Sequence, residues 1–548
     1  MKREIKILLI VLLIAFLVRV TNLNKTIIFD EYVQTKAVLE HNALGLDKGT
    51  GITPLTTWTR IVFTWLMGVH TWSLKLVSVV FGLLSLVLVY FLAKELYDKK
   101  TALWASLLIA VSAWHVLGTT SISFDGAFLT FYYLLTIFCF VKYLKTESRK
   151  WLYFTGIAFG LAMLTKLNAI LIIPIIIIYS LIKEANIKKA VKDFLIIGLV
   201  SILVFSVFPI AAYFTDWSYF SVVMQHTGVF ENPSFNIVLL LIQYMLAVFW
   251  AGPLFIGLYI IKLLRFDRKD VLMHLWIGVV FLFFTFVVQE NFRPLERYFM
   301  VIFPPICILG GDYISKLRFD KRDLIKFFCV FVVFGLLLFL LNLLNNDILP
   351  FYPKTEFIKR AIGFKWNFLV PFTGDQGPIG MYVAFISIVL SFVFAFLFLI
   401  LHFFAIIYKK RYATKMFFLI FLAISFSYNI FMLQEMIFNS TNPNIDLVSK
   451  AAIDYALEND LKEPVYVFRN DAFKYYLSPR YQDVIPISFR HEFDIETINK
   501  IKNGGTVIVV DFPSVNKEST LWKGLNSCNM RKSFYDKNIR IGYIFECV

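Results

Sequence analysis

Thirteen apolar segments constrain this chain more than any other feature. They fall at roughly 5–20, 74–93, 101–118, 126–144, 151–164, 168–182, 193–212, 237–261, 271–288, 298–315, 324–344, 381–408 and 416–437. A helix that crosses a bilayer needs about 20 apolar residues; the fifth and sixth segments are the short ones. Backbone polar groups in hydrocarbon must pair within a helix or a closed barrel. Runs of this length therefore predict a polytopic α-helical transmembrane bundle of about thirteen spans. Composition agrees: 59% of the 548 residues are hydrophobic, 18% aromatic and 17% charged, against about 25% charged in a soluble domain. A soluble multidomain protein and a disordered chain are both excluded.

The net charge of +16 is a matter of placement. Residues 441–548 hold 14 basic and 14 acidic side chains and are neutral, so the excess lies among the apolar segments. A nucleic-acid footprint would be a basic face on a soluble domain, and none is present; no nucleic-acid partner is expected. Instead short basic clusters punctuate alternate connections. With the N-terminus inside, the inner connections carry 27 Lys and Arg and the outer ones before the tail carry 13. That is the positive-inside bias. It predicts a multi-pass protein of the cell membrane with a cytoplasmic N-terminus and an extracytoplasmic tail. No A-x-A-like site follows the first segment, so it reads as a retained anchor.

The long polar segments, 21–73, 213–236, 289–297, 345–380 and the tail, all fall outside, so the work is done on that face. In the first outer loop, Val33, Ala37, Val38 and Leu44 predict a short helix within Glu31 to Gly45. Residues 54–70 form an amphipathic stretch with Trp58 and Trp65, residues that favour the headgroup level. The tail mixes a helix-like run, Leu447–Glu458, with strand-like runs at Val465–Phe468, Val484–Ile487, Thr506–Val510 and Ile541–Phe545. It reads as a small α/β domain, giving a transmembrane domain over 1–440 and an extracytoplasmic α/β domain over 441–548. No CxxC or CxxH spacing signals a zinc site. Cys528 and Cys547 share the tail and either pair in an oxidising compartment or stay free.

Four places on the outer face carry chemistry. Asp30-Glu31 sits about ten residues beyond the first span. One carboxylate there suits a general base, the other an acceptor or cation contact, although a solvated loop pair fits the same spacing. Asp125, in SISFDGAFLTF, opens the fourth span, where a helix-dipole role is the plain alternative. Lys166 is the only charge within 151–182; it either snorkels to headgroups or faces a phosphate. Arg293, Glu296 and Arg297 precede the tenth span in QENFRPLERY, and Arg holds phosphate through paired hydrogen bonds. Pro304-Pro305 is expected to break the helix ladder within that span. Acid, base and phosphate-binding cation on one face suit group transfer from a lipid-borne phosphate to a hydroxyl.

In this set the chain resembles the GT-C membrane glycosyltransferases, specifically the protein O-mannosyltransferase and aminoarabinose transferase group. The carrying motifs are FDEYVQTKA, ITPL at 52–55, KLVSVVFGLLSLVLVYFLAKELYDKKTALWASLLIAVSAWH, SFDGAF, GIAFGLAMLTKLNAILIIP and ERYFMVIFPP, over about residues 5–315. The resemblance implies a polyprenyl-monophosphate sugar donor, dolichyl or undecaprenyl, and an acceptor hydroxyl on a glycan, lipid or protein, joined with inversion amid membrane lipids. It implies Asp30 as catalytic base with Glu31 beside it and Asp125 as a second acid. Lys166, Arg293 and Arg297 become the donor-phosphate ligands, and Glu296 and Tyr298 substrate-binding neighbours. Where many relatives read His-Pro-Pro, this chain has Thr53-Pro54-Leu55, which leaves a His role unfilled. The resemblance assigns no cofactor, and a divalent cation stays open. Rival readings are a lipid-linked glycan ligase or polymerase with a diphosphate donor, which shares the topology, and a secondary transporter, which would show paired halves with broken helices.

Overall fold

The computed structural model describes residues 3–21, 23–27, 29–39, 54–122, 124–184, 187–215, 237–286, 298–350, 355–372, 380–468, 470, 472–487, 494–512 and 514–547. Among the described residues, the first ten α-helices are α1 (Arg3–Val20), α2 (Phe29–Leu39), α3 (Pro54–Met67), α4 (Thr71–Leu96), α5 (Lys99–Val111), α6 (Ala113–Thr120), α7 (Thr130–Thr146), α8 (Arg149–Thr165), α9 (Ile172–Glu184) and α10 (Ile187–Thr215). Helices over Ile237–Leu264, Val271–Phe286, Phe303–Ser315, Lys321–Leu343, Phe385–Ile407 and Arg411–Phe438 follow.

Within their described residues the apolar segments lie on helix, except that 381–408 opens on a strand, Met381–Ala384, which pairs with Phe368–Phe372, and turns helical only at Phe385. Among the described residues, eight helices are individually long and apolar enough to cross a membrane: Thr71–Leu96, Gly126–Thr146, Ile187–Ala211, Tyr244–Leu264, Arg268–Phe286, Lys321–Leu343, Phe385–Ile407 and Arg411–Phe438. α5 and α6, bent by 63° at one break, make a ninth when taken together. Helix length thus does not establish thirteen crossings. α9 and the Phe303–Ser315 helix have 13 residues each, about 20 Å at about 1.5 Å per residue, against a hydrocarbon core of about 30 Å. α1 is 18 residues long but carries Arg3, Glu4, Lys6 and Arg19.

The irregular points have local causes. At the α5–α6 bend, Ser112 leaves the helix at φ −63°, ψ 117°. Its hydroxyl accepts the His115 N–H at 3.3 Å, capping the next helix. The Ile237–Leu264 helix is interrupted at Gly252, φ 67°, immediately before Pro253. Glycine tolerates that left-handed backbone, and proline supplies no N–H to the ladder. Pro304 and Pro305 do not break a ladder as expected. A 3₁₀ turn, Phe299–Ile302, precedes them, and they occupy the first turn of the Phe303–Ser315 helix, where backbone N–H groups have no intrahelical partner.

The chain divides into two compact units. The first comprises Met1–Leu23, Gln34–Phe327 and Ala395–Ser425, the second Asn24–Val33, Phe328–Phe394 and Phe426–Val548. The second contains a three-stranded sheet, β1 (Asp347–Ile348), β2 (Phe368–Phe372) and β3 (Met381–Ala384), in that order. It also contains a five-stranded sheet of β4 (Val465–Phe468), β5 (Val484–Ile487), β6 (Gly505–Val510), β7 (Asn529–Asp536) and β8 (Ile539–Cys547). Its order is β5-β4-β6-β8-β7; β4 runs parallel to β5 and β6, while β8 is antiparallel to β6 and β7.

The inner strands β4 and β6 are buried on both faces, which explains their apolar runs. Val465 and Val467 pack with Val448, Ala452 and Ala456 of the Ile445–Glu458 helix. Tyr466 and Phe468 pack with Ile498, Ile501, Leu521 and Leu525 of two short helices, Ile495–Lys502 and Thr520–Leu525. Leu369, Tyr382 and Ala384 of the smaller sheet complete the first of these cores. Cys528 and Cys547 form a disulfide with a Cα separation of 4.5 Å, within the usual range for such a bond, deciding the alternative left open by the sequence.

Candidate active site

In the first unit, α3 inverts the usual pattern of a surface helix. Its buried face carries Thr56, Thr57, Arg60 and Thr64, while Val62, Trp65 (82% exposed), Leu66 and Met67 point outward. Apolar outside and polar inside is the arrangement of a helix that presents one side to lipid and the other to a polar interior. Gln34, in the second half of α2, accepts from the Thr56 hydroxyl at 3.4 Å. The Arg60 guanidinium is fully buried: it donates to the Ser78 hydroxyl at 3.3 Å and lies 5.1 Å from the Phe128 ring centroid.

Phe128 belongs to a π-helical turn, Phe124–Leu129, that feeds α7 and carries Asp125 at its second position. π-turns of this kind concentrate at functional sites. Two glycines allow it to dock. A Cβ on Gly118 of α6 would lie 2.8 Å from the Gly126 Cα and 2.6 Å from the Met300 sulfur. Backbone therefore meets backbone here, which only residues without a side chain permit. Phe81 of α4 stacks on Phe128 at 4.1 Å and secures the other side. The side chain of Asp125 lies outside the described residues.

Lys166 sits between two helices. α8 ends at Thr165, Lys166 is extended at φ −165°, ψ 138°, and a 3₁₀ turn follows over Leu167–Leu171. The Lys166 N–H donates to the Ala162 carbonyl at 3.0 Å, and its own carbonyl accepts from Ala169 at 3.0 Å. The Tyr133 hydroxyl pins the turn by donating to the Asn168 carbonyl at 3.0 Å. The Lys166 ammonium lies 4.2 Å from the centroid of the Tyr298 ring, within reach of the ring quadrupole. Tyr298 is 7% exposed and stacks on Phe284 at 5.1 Å with planes 7° apart. The LTK and ERY motifs, 132 positions apart in the chain, are thus in contact. Arg293, Glu296 and Arg297 lie outside the described residues.

In the second unit, α2 begins at Phe29, with Asp30 and Glu31 in its first turn. The predicted helix is therefore present but starts two residues earlier; its expected continuation through 40–45 lies outside the described residues. Glu31 is 1% exposed, so a purely solvated loop pair is replaced by a buried carboxylate. The Asp30 side chain lies outside the described residues. Arg60 is the residue that sequence reasoning missed. Its signal was there: a single Arg in the apolar run PLTTWTRIVFTWLM, at a cost that membrane interiors seldom bear without a use.

The fold is shared with a solved structure. The crystal structure of ArnT from Cupriavidus metallidurans bound to undecaprenyl phosphate superposes with a TM-score of 0.57 at 15% identity, covering 99% of this chain and 98% of that one. The family model described as dolichyl-phosphate-mannose-protein mannosyltransferase matches residues 51–213, the stretch that holds α3, the π-turn and Lys166. Two Bacillus subtilis (strain 168) proteins are similar over part of their length. "Putative mannosyltransferase YycA" is 27% identical over 145 residues, 26% of this chain and 21% of that protein. "Putative mannosyltransferase YkcB" is 30% identical over 152 residues, 27% of this chain and 20% of that protein. The chain thus matches about a fifth of the length of these curated relatives.

Proposed function

We propose that this chain is a membrane glycosyltransferase that moves a sugar from a polyprenyl-monophosphate donor to an acceptor hydroxyl at the outer face. The observation that carries the reading is the Lys166–Tyr298 pair. A cation held half-buried over an aromatic face at the end of a short apolar helix suits the phosphate of a lipid whose tail stays in the bilayer. The polar inner face of α3 and the similarity to a structure bound to undecaprenyl phosphate support the same reading.

In the reaction, the acceptor oxygen attacks the anomeric carbon from the face opposite the phosphate, and the anomeric carbon–oxygen bond to phosphate breaks with inversion. Asp30 takes the hydroxyl proton, with Glu31 and Asp125 as further acids around the sugar and acceptor. Lys166, with Arg293 and Arg297, neutralises the charge that grows on the leaving polyprenyl phosphate. Glu296 and Tyr298 border the donor.

The N-terminus is cytoplasmic and the α/β domain over 441–548 extracytoplasmic, in a cell membrane. The basic-residue asymmetry supports this orientation. So does the Cys528–Cys547 bond, since disulfides persist in oxidising compartments. Mass spectrometry of glycans, glycolipids and glycoproteins from a deletion strain tests the function. Loss of one sugar from one class of acceptor identifies substrate and product, and an unchanged glycan inventory sinks the reading.

A further inference from the structure

Three consecutive residues between α1 and α2 are tied to residues more than 400 positions away. The Lys25 ammonium donates to the Met436 carbonyl and, at 3.4 Å, to the Asn439 side-chain carbonyl. The Thr26 N–H and hydroxyl both donate to one oxygen of Asp446, at 2.5 and 2.8 Å. The Ile27 N–H donates to the Tyr476 hydroxyl at 2.9 Å. Ile27 is fully buried.

The acceptors are themselves fixed. Asp446 lies in the first turn of the Ile445–Glu458 helix, and its second oxygen accepts from Lys450 at 2.8 Å. Tyr476 lies on the short helix Phe473–Leu477 beside the same core. Asn439 is held from behind: Lys537, at the tip of the β7–β8 hairpin, donates to the Asn439 and Asn442 carbonyls, and buried Glu435 accepts from Ser440 and Thr441.

Asp30 lies three positions beyond Ile27. An extended chain covers at most about 3.6 Å per residue, so the Asp30 backbone lies within about 11 Å of the Tyr476 attachment. Ordering a free connection costs conformational entropy. Here the backbone N–H groups of Thr26 and Ile27 meet side-chain acceptors of the C-terminal domain, which fixes these two residues in the ground state.

We propose that the C-terminal α/β domain is a clamp that sets the position of the helix bearing Asp30 and Glu31, with Asp446 and Tyr476 as positioning residues. This rests on the reading of Asp30 as the base. A misplacement of about 1 Å can cost about 10²-fold in rate, so the clamp acts on kcat more than on donor affinity.

The test uses the full-length protein in nanodiscs. It combines amide exchange of the peptide covering residues 24–33 with steady-state release of polyprenyl monophosphate from labelled polyprenyl-monophosphate sugar. Tyr476→Phe and Asp446→Ala are expected to speed exchange in that peptide about tenfold or more and to lower kcat about 10- to 100-fold, with KM for the donor within about threefold. Asp446→Asn, which keeps an acceptor oxygen for Thr26, should recover most of the rate. Lys450→Ala, which leaves the Thr26 bonds intact, should stay within about twofold of wild type. If Asp446→Ala fails to fold, Tyr476→Phe decides alone, since it removes one hydroxyl. Unchanged exchange, or faster exchange at wild-type kcat, overturns the clamp. Asp30→Asn separates the two ideas: it should abolish release without altering exchange over 24–33. An Asp30→Asn chain with wild-type turnover would sink the base assignment, and the clamp would still be judged on the exchange and kcat of the other variants.

Discussion

Replacing Lys166 by alanine removes the only charge in 151–182 and should weaken donor binding selectively. The ammonium lies 4.2 Å from the Tyr298 centroid, a contact worth about 1 kcal/mol at a partly exposed site. Truncating a charged partner of a bound phosphate costs about 2–5 kcal/mol when the pair is desolvated. Lys166 is half-buried, so the lower end applies: about 2 kcal/mol, or about 30-fold in Kd. Lys166→Arg should keep part of the affinity, because the charge persists in a different geometry. Tyr298→Leu, which removes the ring but no charge, should cost only about fivefold. The assay is equilibrium binding of polyprenyl-monophosphate sugar to purified variants in nanodiscs, with the acceptor measured in parallel. If Lys166→Ala bound donor within twofold of wild type, Lys166 would be an interfacial anchor, and the phosphate role would pass to Arg293 and Arg297.

Other outcomes follow from the same geometry. Asp30→Asn should lower turnover by about 10²–10⁴ with little change in melting temperature, because it removes a proton acceptor; wild-type rates would move the base to Glu31 or Asp125. Gly126→Ala forces a methyl against the backbone of Gly118, whose carbonyl oxygen would stand 2.7 Å away. It should destabilise by about 1–3 kcal/mol, whereas Gly278→Ala meets nothing within 4 Å and should be near neutral in the same thermal melts. Burial pushes the Asp446 carboxyl up, but Lys450 and the Thr26 donors outweigh it and hold it below the usual value. Because the folded state favours the ionised form, this contribution is complete above about pH 4, the unfolded value, and fades as pH falls through the folded one. Melting curves from about pH 7 to about pH 3 should therefore fall more steeply at the acid end for wild type than for Asp446→Asn.

The apolar runs were legible because lipid imposes a length and composition that water does not; the start of 381–408 was not, because Met381–Ala384 is an apolar strand buried in a sheet and continuous in composition with the helix that follows. What helix length leaves unsettled is the number of crossings: segments such as Phe303–Ser315 are too short to be judged alone. The strands of the tail were legible where both faces are buried, as in Val465–Phe468 and Gly505–Val510. β7 was not, because its exposed, charged residues Arg531 and Lys532 give an edge strand no apolar period. The π-turn under Asp125 depends on Gly126 meeting Gly118, a tertiary approach that no local propensity encodes. Arg60 was hidden because α3 reads as amphipathic whichever face is buried, and only packing reveals that the polar side turns inward. The attachment of Thr26 to Asp446 spans 420 residues, beyond the reach of any sequence pattern.

The central claim is tested most directly by incubating the purified full-length protein with a radiolabelled polyprenyl-monophosphate sugar and a panel of hydroxyl acceptors, then resolving the lipid products. The account predicts release of polyprenyl monophosphate, matched by an equal amount of sugar on an acceptor with inverted anomeric configuration, and loss of both in Asp30→Asn. Consumption of a diphosphate-linked donor alone, or an intact monophosphate donor after incubation with every acceptor, would contradict it.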